Sequence, residues 1–197
     1  KGSTMRKQPK VTERTRQALS KAFWDLYAGC PETDNHPATP GLPIEKISVR
    51  QITDRAGYNR ATFYLYYRDV YDLLSQIEES ILSDAREVVD KRLLQGDELN
   101  FSQHMGYIAE LAKNSRPYLA ALLGPHGDPA FATRLKQALR PLVARFLTND
   151  PALNPKEKDL LDEFYLAGML AAITRWLDEC DDMPIEALIQ LISKHVL

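Results

Sequence analysis

The chain has 197 residues, of which 44% are hydrophobic and 26% charged, with a net charge of −2. These values fit an ordinary folded chain and exclude a disordered or collagen-like one, and the longest near-apolar run, Tyr165 to Thr174, falls short of the about 20 residues that cross a bilayer. The charge is segregated: residues 1–68 hold twelve Lys+Arg against six Asp+Glu, about +6, and the remainder carries about −8, as expected when only the first third meets a polyanion.

The hydrophobic pattern is helical nearly throughout. A first helix is expected from Thr12, with Leu19, Ala22, Phe23 and Leu26 as its apolar stripe, stopping near Gly29. Residues 30–43 hold Pro31, Pro37, Pro40 and Pro43 and read as a loop of about fourteen residues whose only charges, Glu32 and Asp34, are acidic. Ser48 followed by Gln51 is a capping box that opens a short second helix with Val49, Ile52 and Ala56 on its apolar side. Gly57 supplies the positive φ that ends it. Asn59 caps a third helix, Arg60 to Tyr66, and Asp69 a fourth, Val70 to Leu94, with Asp72 at its third position. Further helices are expected at about 102–114, after Pro117, at 129–147 with a kink near Pro141, at 155–179 and at 184–195, with a turn at 124–127. Cys30 and Cys180 are too few for a disulfide framework or a zinc site. The basic, polar start lacks the apolar stretch of a secretory signal, so a cytoplasmic home is expected.

Two short helices joined by Gly57-Tyr58-Asn59 match a helix-turn-helix. The second is about 10 Å long at 1.5 Å per residue and fits end-on into a major groove about 12 Å wide. Arg60 can make a bidentate contact to guanine, Thr62 a base or phosphate contact, and Ala61 or Leu65 an apolar contact with a thymine methyl. Tyr64 and Tyr66 present hydroxyls to phosphate oxygens, and backbone amides at the two helix starts can do the same. Phe63 and Tyr67 face the small core with Phe23 and Ile52. Five tyrosines fall between Tyr58 and Tyr71, more than a three-helix core can bury. The arm Arg6, Lys7 and Lys10, with Arg14 and Arg16 behind it, can follow the DNA backbone or minor groove. The candidate DNA-contacting set is Arg50, Asn59, Arg60, Ala61, Thr62, Tyr64, Leu65, Tyr66 and Arg68.

Residues 11–74 resemble the DNA-binding domain of the tetracycline-repressor (TetR) family. The resemblance is carried by Ile47 to Ile52, by Ala56-Gly57-Tyr58-Asn59-Arg60-Ala61-Thr62-Phe63-Tyr64-Leu65-Tyr66-Tyr67, and by Asp72-Leu73-Leu74. Thr62 and Tyr64 match the family pattern directly. Tyr66 stands where His is common, Tyr67 where Phe is common, Asn59 replaces a capping Ser, and Val70 replaces the usual phosphate-binding Lys, with Arg68 nearby. The loop at 30–43 is longer than the family's usual connection. The resemblance implies an all-α fold of about nine helices. Residues 11–68 would be a three-helix helix-turn-helix DNA-binding domain and residues 69–197 an effector-binding and dimerisation domain. It also implies a homodimer on a palindromic double-stranded DNA operator, and a small-molecule effector held among helices four to eight that spreads the DNA-reading heads. No residue is assigned to that ligand.

The chain supports a dimer independently. The helix at 155–179 is apolar almost all round, and a helix with two apolar faces must bury the second. With the last helix it could form a four-helix seam, its candidate residues being Phe164, Leu166, Gly168, Leu170, Ile173, Leu177, Leu188, Leu191 and Ile192. Asp159, Asp162 and Glu163 read as a solvated helix face. The leading reading is a bacterial, cytoplasmic, dimeric transcriptional repressor released by an effector. The alternative is a protein-interaction or co-activator module of the same fold that does not itself read DNA. Neither a phosphate loop nor a nucleophile elbow nor a His-Glu-x-x-His motif is present, so no enzymatic activity, metal or cofactor is expected.

Overall fold

The computed structural model describes residues 9–30, 38–93, 116, 118–124, 126–146, 148–179 and 183–195. They are all-α apart from one two-residue ladder, and the chain divides into two compact units, Lys1–Ile77 and Glu78–Leu197. The helix expected at 102–114 and the arm residues Arg6 and Lys7 lie outside the described residues.

In the first unit, α1 spans Pro9–Tyr27, three residues earlier than Thr12. Proline suits that first position, because its fixed φ is helical and its missing N–H would have no partner there. Gly29, at φ +81, turns the chain out of α1 into a ribbon in which β1 (Gly29–Cys30) pairs antiparallel with β2 (Thr39–Pro40). A Cβ on Gly29 would meet the Thr39 carbonyl oxygen at 2.3 Å. The proline-rich connection is thus pinned at its base, where a plain loop was expected; its residues 31–37 lie outside the description. A single 3-10 turn, Ile44–Lys46, leads into α2 (Val49–Ala56). After the Gly57-Tyr58-Asn59 turn come α3 (Arg60–Tyr64) and α4 (Val70–Val88), whose end widens into a π turn at Val89–Leu93. Leu19 and Phe23 of α1, Ile52 of α2, Phe63 of α3 and Leu73 of α4 are all fully buried. Phe23 stacks on Tyr27 at 5.4 Å, Phe63 meets Tyr67 at the same distance, and Tyr67 Oη lies 3.2 Å from Ser20 Oγ. Arg16 of α1 donates to Gln76 Oε1 of α4 at 3.0 Å.

In the second unit, residues 118–123 are helical and Gly127 N–H bonds the Gly124 carbonyl at 2.9 Å, closing the expected turn. Helices α5 (Pro129–Phe146), α6 (Pro155–Glu179) and α7 (Ile185–His195) follow, and α5 packs along α6. Asn154 opens α6: its side chain accepts the Lys156 and Glu157 amides while Glu157 accepts the Asn154 amide at 2.8 Å. Trp176, Leu177, Ile185 and Leu188 form one core cluster, with Trp176 Nε1 donating to the Met183 carbonyl at 2.8 Å.

Of the acidic group on α6, Asp159 and Glu163 are exposed as a solvated face would be, and Asp162 is not. Asp162 is buried, accepting from Thr148 Oγ1 at 2.6 Å and from Arg140 Nε at 3.2 Å; Arg140 also holds Asp159, and Lys136 holds Glu163. The partners come from α5 and the residue chain after it, so three acids at helical spacing clamp α6 to its neighbour. Arg140 is correspondingly held above its ordinary pKa, chiefly by Asp162. Glu78 of α4 is also buried and paired with Arg134 of α5. Burial pushes its carboxyl up from the ordinary value, and Arg134 only partly offsets that.

Two expected outcomes follow from this packing. Phe63→Ala should lower unfolding free energy by about 3–5 kcal/mol in denaturant melts, because the vacated space lies between fixed helices. A folded-state pKa raised above the unfolded one contributes stability that is present at low pH and lost as pH rises through the raised value. Wild type should therefore lose stability relative to Glu78→Gln as pH rises above the ordinary glutamate range in parallel melts, and a constant difference would contradict the burial cost.

Candidate nucleic-acid interface

The helix-turn-helix is built from local interactions. Ser48 N–H donates to Gln51 Oε1 at 2.8 Å and Gln51 N–H returns to Ser48 Oγ at 3.3 Å, so the capping box is complete. At the other end Gly57 is left-handed, at φ +73, and a Cβ there would meet nothing within 4 Å. The backbone angle alone demands glycine at this position. Asn59 Oδ1 accepts from the Thr62 amide at 2.8 Å and from the Thr62 hydroxyl at 3.0 Å, which fixes the first turn of α3.

Helix α3 has five residues rather than seven. The Leu65 amide bonds back to the Thr62 carbonyl, tightening the last turn, and Leu65 and Tyr66 lie in the turn that follows. The faces nevertheless separate as the spacing predicts. Phe63 and Tyr67 are sealed in the core, at 0% and 3% exposure. Tyr64 and Leu65 stand out at 57% and 63%, Asn59, Arg60 and Ala61 are exposed, and Thr62 and Tyr66 are half-buried. Tyr58 and Tyr71 are exposed as well. Sequence reasoning left both out of the site, although the tyrosine count marked that some of the five had to face outward.

The cations differ in their freedom. Arg60 has no ion-pair partner among the described residues, and Arg50 is only loosely tied to Asp54, at 3.4 Å between two exposed side chains. The Arg68 guanidinium is 3.7 Å from Asp72 and its side chain is 87% exposed. The Asp72 carboxylate is held mainly by the Arg68 backbone N–H, at 2.8 Å, which keeps its pKa below the usual carboxylate value. Asp69 caps α4 by accepting the Asp72 amide at 2.8 Å. Val70 is buried, so nothing at that position reaches a phosphate. Arg55 turns the other way, donating to Asp25 at 3.3 Å and to Cys30 Sγ at 3.3 Å, and serves to join α2 to α1.

The candidate dimer residues split into two groups. Phe164 is 68% exposed, Leu191 is 51% exposed and Gly168 is exposed, with open space around its Cα; Leu170, Ile173 and Ile192 are half-buried. Leu166, Leu177 and Leu188 are buried inside their own unit, so their side chains are already enclosed and they are removed from the set. Leu160, omitted from it, is 71% exposed and lies one turn before Phe164 on α6. Among the described residues, no helix is long and apolar enough to cross a membrane, and no three His, Cys, Asp or Glu side chains gather as metal ligands.

The chain is similar to several solved structures over nearly its whole length. The TetR transcriptional regulator from Streptococcus agalactiae matches with a TM-score of 0.60 at 21% identity, covering 92% of this chain and 93% of that one. The fatty acid degradation regulator FadR from Bacillus halodurans matches at 0.60 with 14% identity, covering 96% and 95%. The dihydroxyacetone kinase operon activator DhaS matches at 0.57 with 19% identity, covering 91% and 92%. At these identities the likeness is one of fold. No curated sequence matches. A TetR-type family model described as a transcriptional regulator C-terminal region matches residues 100–196, the half of the chain in which the short sequence motifs are silent. The helical fold and this match agree with the resemblance read from residues 11–74: the chain belongs to the TetR family of transcriptional regulators.

Proposed function

We propose that the protein is a dimeric, sequence-specific DNA-binding repressor whose second domain, residues 69–197, releases DNA when it binds a small-molecule effector. The observation that carries the reading is the two-sided α3: Phe63 anchors it from beneath while Arg60, unpaired, and Tyr64, exposed, project from a backbone fixed by Asn59. Such a helix can enter a major groove end-on, Arg60 reading guanine and Ala61 or Leu65 a thymine methyl. Tyr64, Tyr66, Arg50 and Arg68 are the phosphate-contacting side chains, Arg68 taking the place left by buried Val70. Asn59 and Thr62 spend their polar atoms chiefly on each other, so their contribution is to position the helix. Two copies would read the two halves of a palindrome. An effector that favours a state with the reading heads spread would weaken DNA binding by its differential affinity for that state.

One observation favours a second reading, a protein-interaction or co-activator module that does not touch DNA: the buried Val70 removes the family's lysine contact. Selection of bound duplexes from a random library separates the two, because only a DNA reader enriches a palindrome. On the enriched duplex, the logarithm of affinity should fall with the logarithm of salt at a slope near −0.9 per phosphate neutralised. Arg60→Ala should cost about 1–3 kcal/mol and relax the preference at one base pair per half-site. Uniform weakening on all sequences would make Arg60 a phosphate contact instead. Phe164→Asp, at an exposed position that spares the core, should halve the mass seen by light scattering; an unchanged mass would exclude the α6 stripe as the dimer face.

A further inference from the structure

Glu78 falls on the inward stripe of α4 and is 2% exposed. One carboxylate oxygen, Oε2, is held by Arg134 Nη2. The other, Oε1, is buried and has no hydrogen-bond partner among the described residues. A buried carboxylate oxygen left without a donor is among the more expensive features a fold can hold, and native structures usually supply the donor from a side chain, a water or a ligand. Neighbouring charges do not compensate it. Arg134 Nη1 is shared with Glu79 at 3.9 Å, Glu79 also holds Arg86 at 2.6 Å, and Asp128, whose carboxylate caps α5, bears on Glu78 as a further negative charge. Among the described residues, Arg134 is thus shared between Glu78 and Glu79, while Asp128 adds negative charge near the orphaned acceptor. The residues one turn away on the same helices within this unit, Leu82 and Phe131, are buried and apolar.

We propose that Glu78 is the polar anchor of the effector site, and that its ligand is an amphiphilic organic cation whose N–H donates to Oε1 while its apolar body lies against the α4 and α5 side chains. This deepens the reading above, since it rests on the second domain binding an effector. A cationic nitrogen supplies the missing donor and a positive charge together, whereas an alcohol supplies only the donor and a carboxylate ligand adds negative charge. Among the described residues, Arg134 and Asp128 are the charged groups that bear on Glu78, and Glu79, its neighbour on α4, shares Arg134. With its proton affinity raised by burial, Glu78 gives up a proton when the cation arrives.

The test is calorimetric titration of the full chain with matched ammonium, alcohol and carboxylate compounds on octyl, phenethyl and adamantylmethyl skeletons. At least one ammonium should bind about tenfold or more tightly than its alcohol. Glu78→Gln should reduce it to the alcohol's affinity. In wild type, which keeps the inference testable should Glu78→Gln fail to fold, ammonium affinity should fall as pH is lowered and Glu78 takes up its proton, while alcohol affinity stays level. Ammonium compounds that do not bind, that bind no better than their alcohols, that are indifferent to Glu78→Gln, or that show no pH dependence each overturn the proposal. These titrations contain no DNA, so their failure leaves the duplex selection standing, and failure of that selection leaves them readable.

Discussion

A five-residue helix cannot hold itself together in water, since nucleating a helical turn fixes several dihedrals for one hydrogen bond. Everything the first unit offers to a partner therefore depends on how α3 is secured. Phe63 and Tyr67 lie beneath it, fully or almost fully buried, and supply the packing that its length denies. Gly57 sets the direction in which the chain leaves α2, at a backbone angle that costs an L-residue about 1–2 kcal/mol and costs glycine nothing. Asn59 then satisfies the amide of Thr62. Outward side chains on such a helix start from a fixed backbone, so they lose less freedom when they engage a groove.

The surplus positive charge of the first third is divided by geometry into two uses. Arg55 and Arg16 are consumed inside the unit, on Asp25 and Gln76 respectively, and join helices. Arg50, Arg60 and Arg68 stay exposed and weakly paired or unpaired. Had net charge alone mattered, all five would be equivalent; their partners show that three contribute to a field a polyanion can sense and two to cohesion. Asp72 illustrates how this is arranged. Its carboxylate takes the backbone N–H of Arg68, which leaves the guanidinium at a loose 3.7 Å.

The interactions that were legible in the sequence are those closed within four residues: the Ser48–Gln51 box, the Gly57 turn, the Asn59 and Asp69 caps, and the i,i+4 pair Phe63 and Tyr67. The Asn154–Glu157 box has the same signature and was equally readable. Interactions that need a distant partner were not. Two residues pairing with two others across the proline-rich connection leave no periodic trace. Asp162 looks like any surface acid until Arg140 and Thr148 arrive from elsewhere in the chain. Glu78 did leave a trace, a charge on the buried stripe of α4 between Leu74 and Leu82, but its meaning depends on Arg134. On α6, apolar on both sides, the pattern states that two faces must be covered and cannot state which one the chain covers itself, so it does not separate Leu166 and Leu177, which are buried, from Phe164, which is exposed.

That ambiguity, once resolved by burial, ties the two ends of the chain together. The inner stripe of α6 is spent within its own unit, while the outer one presents Leu160 and Phe164 and then the small residues Ala167, Gly168 and Ala171 to solvent. Bulky side chains followed by a flat stretch make a surface that can meet its own copy about a two-fold axis, each bulky end lying over the other's flat one. At about 25 cal/mol per Å² of apolar area removed from water, covering such a stripe is favourable on both copies at once. A monomer would gain little from keeping it bare. In the proposed function the first unit supplies the reason to pair: α3 would be too short to read more than a few base pairs, and useful selectivity among many competing sites needs a second reader at fixed separation. In the proposed dimer, the brevity of the reading helix and the uncovered face of α6 are therefore two consequences of one requirement, that recognition be divided between identical chains.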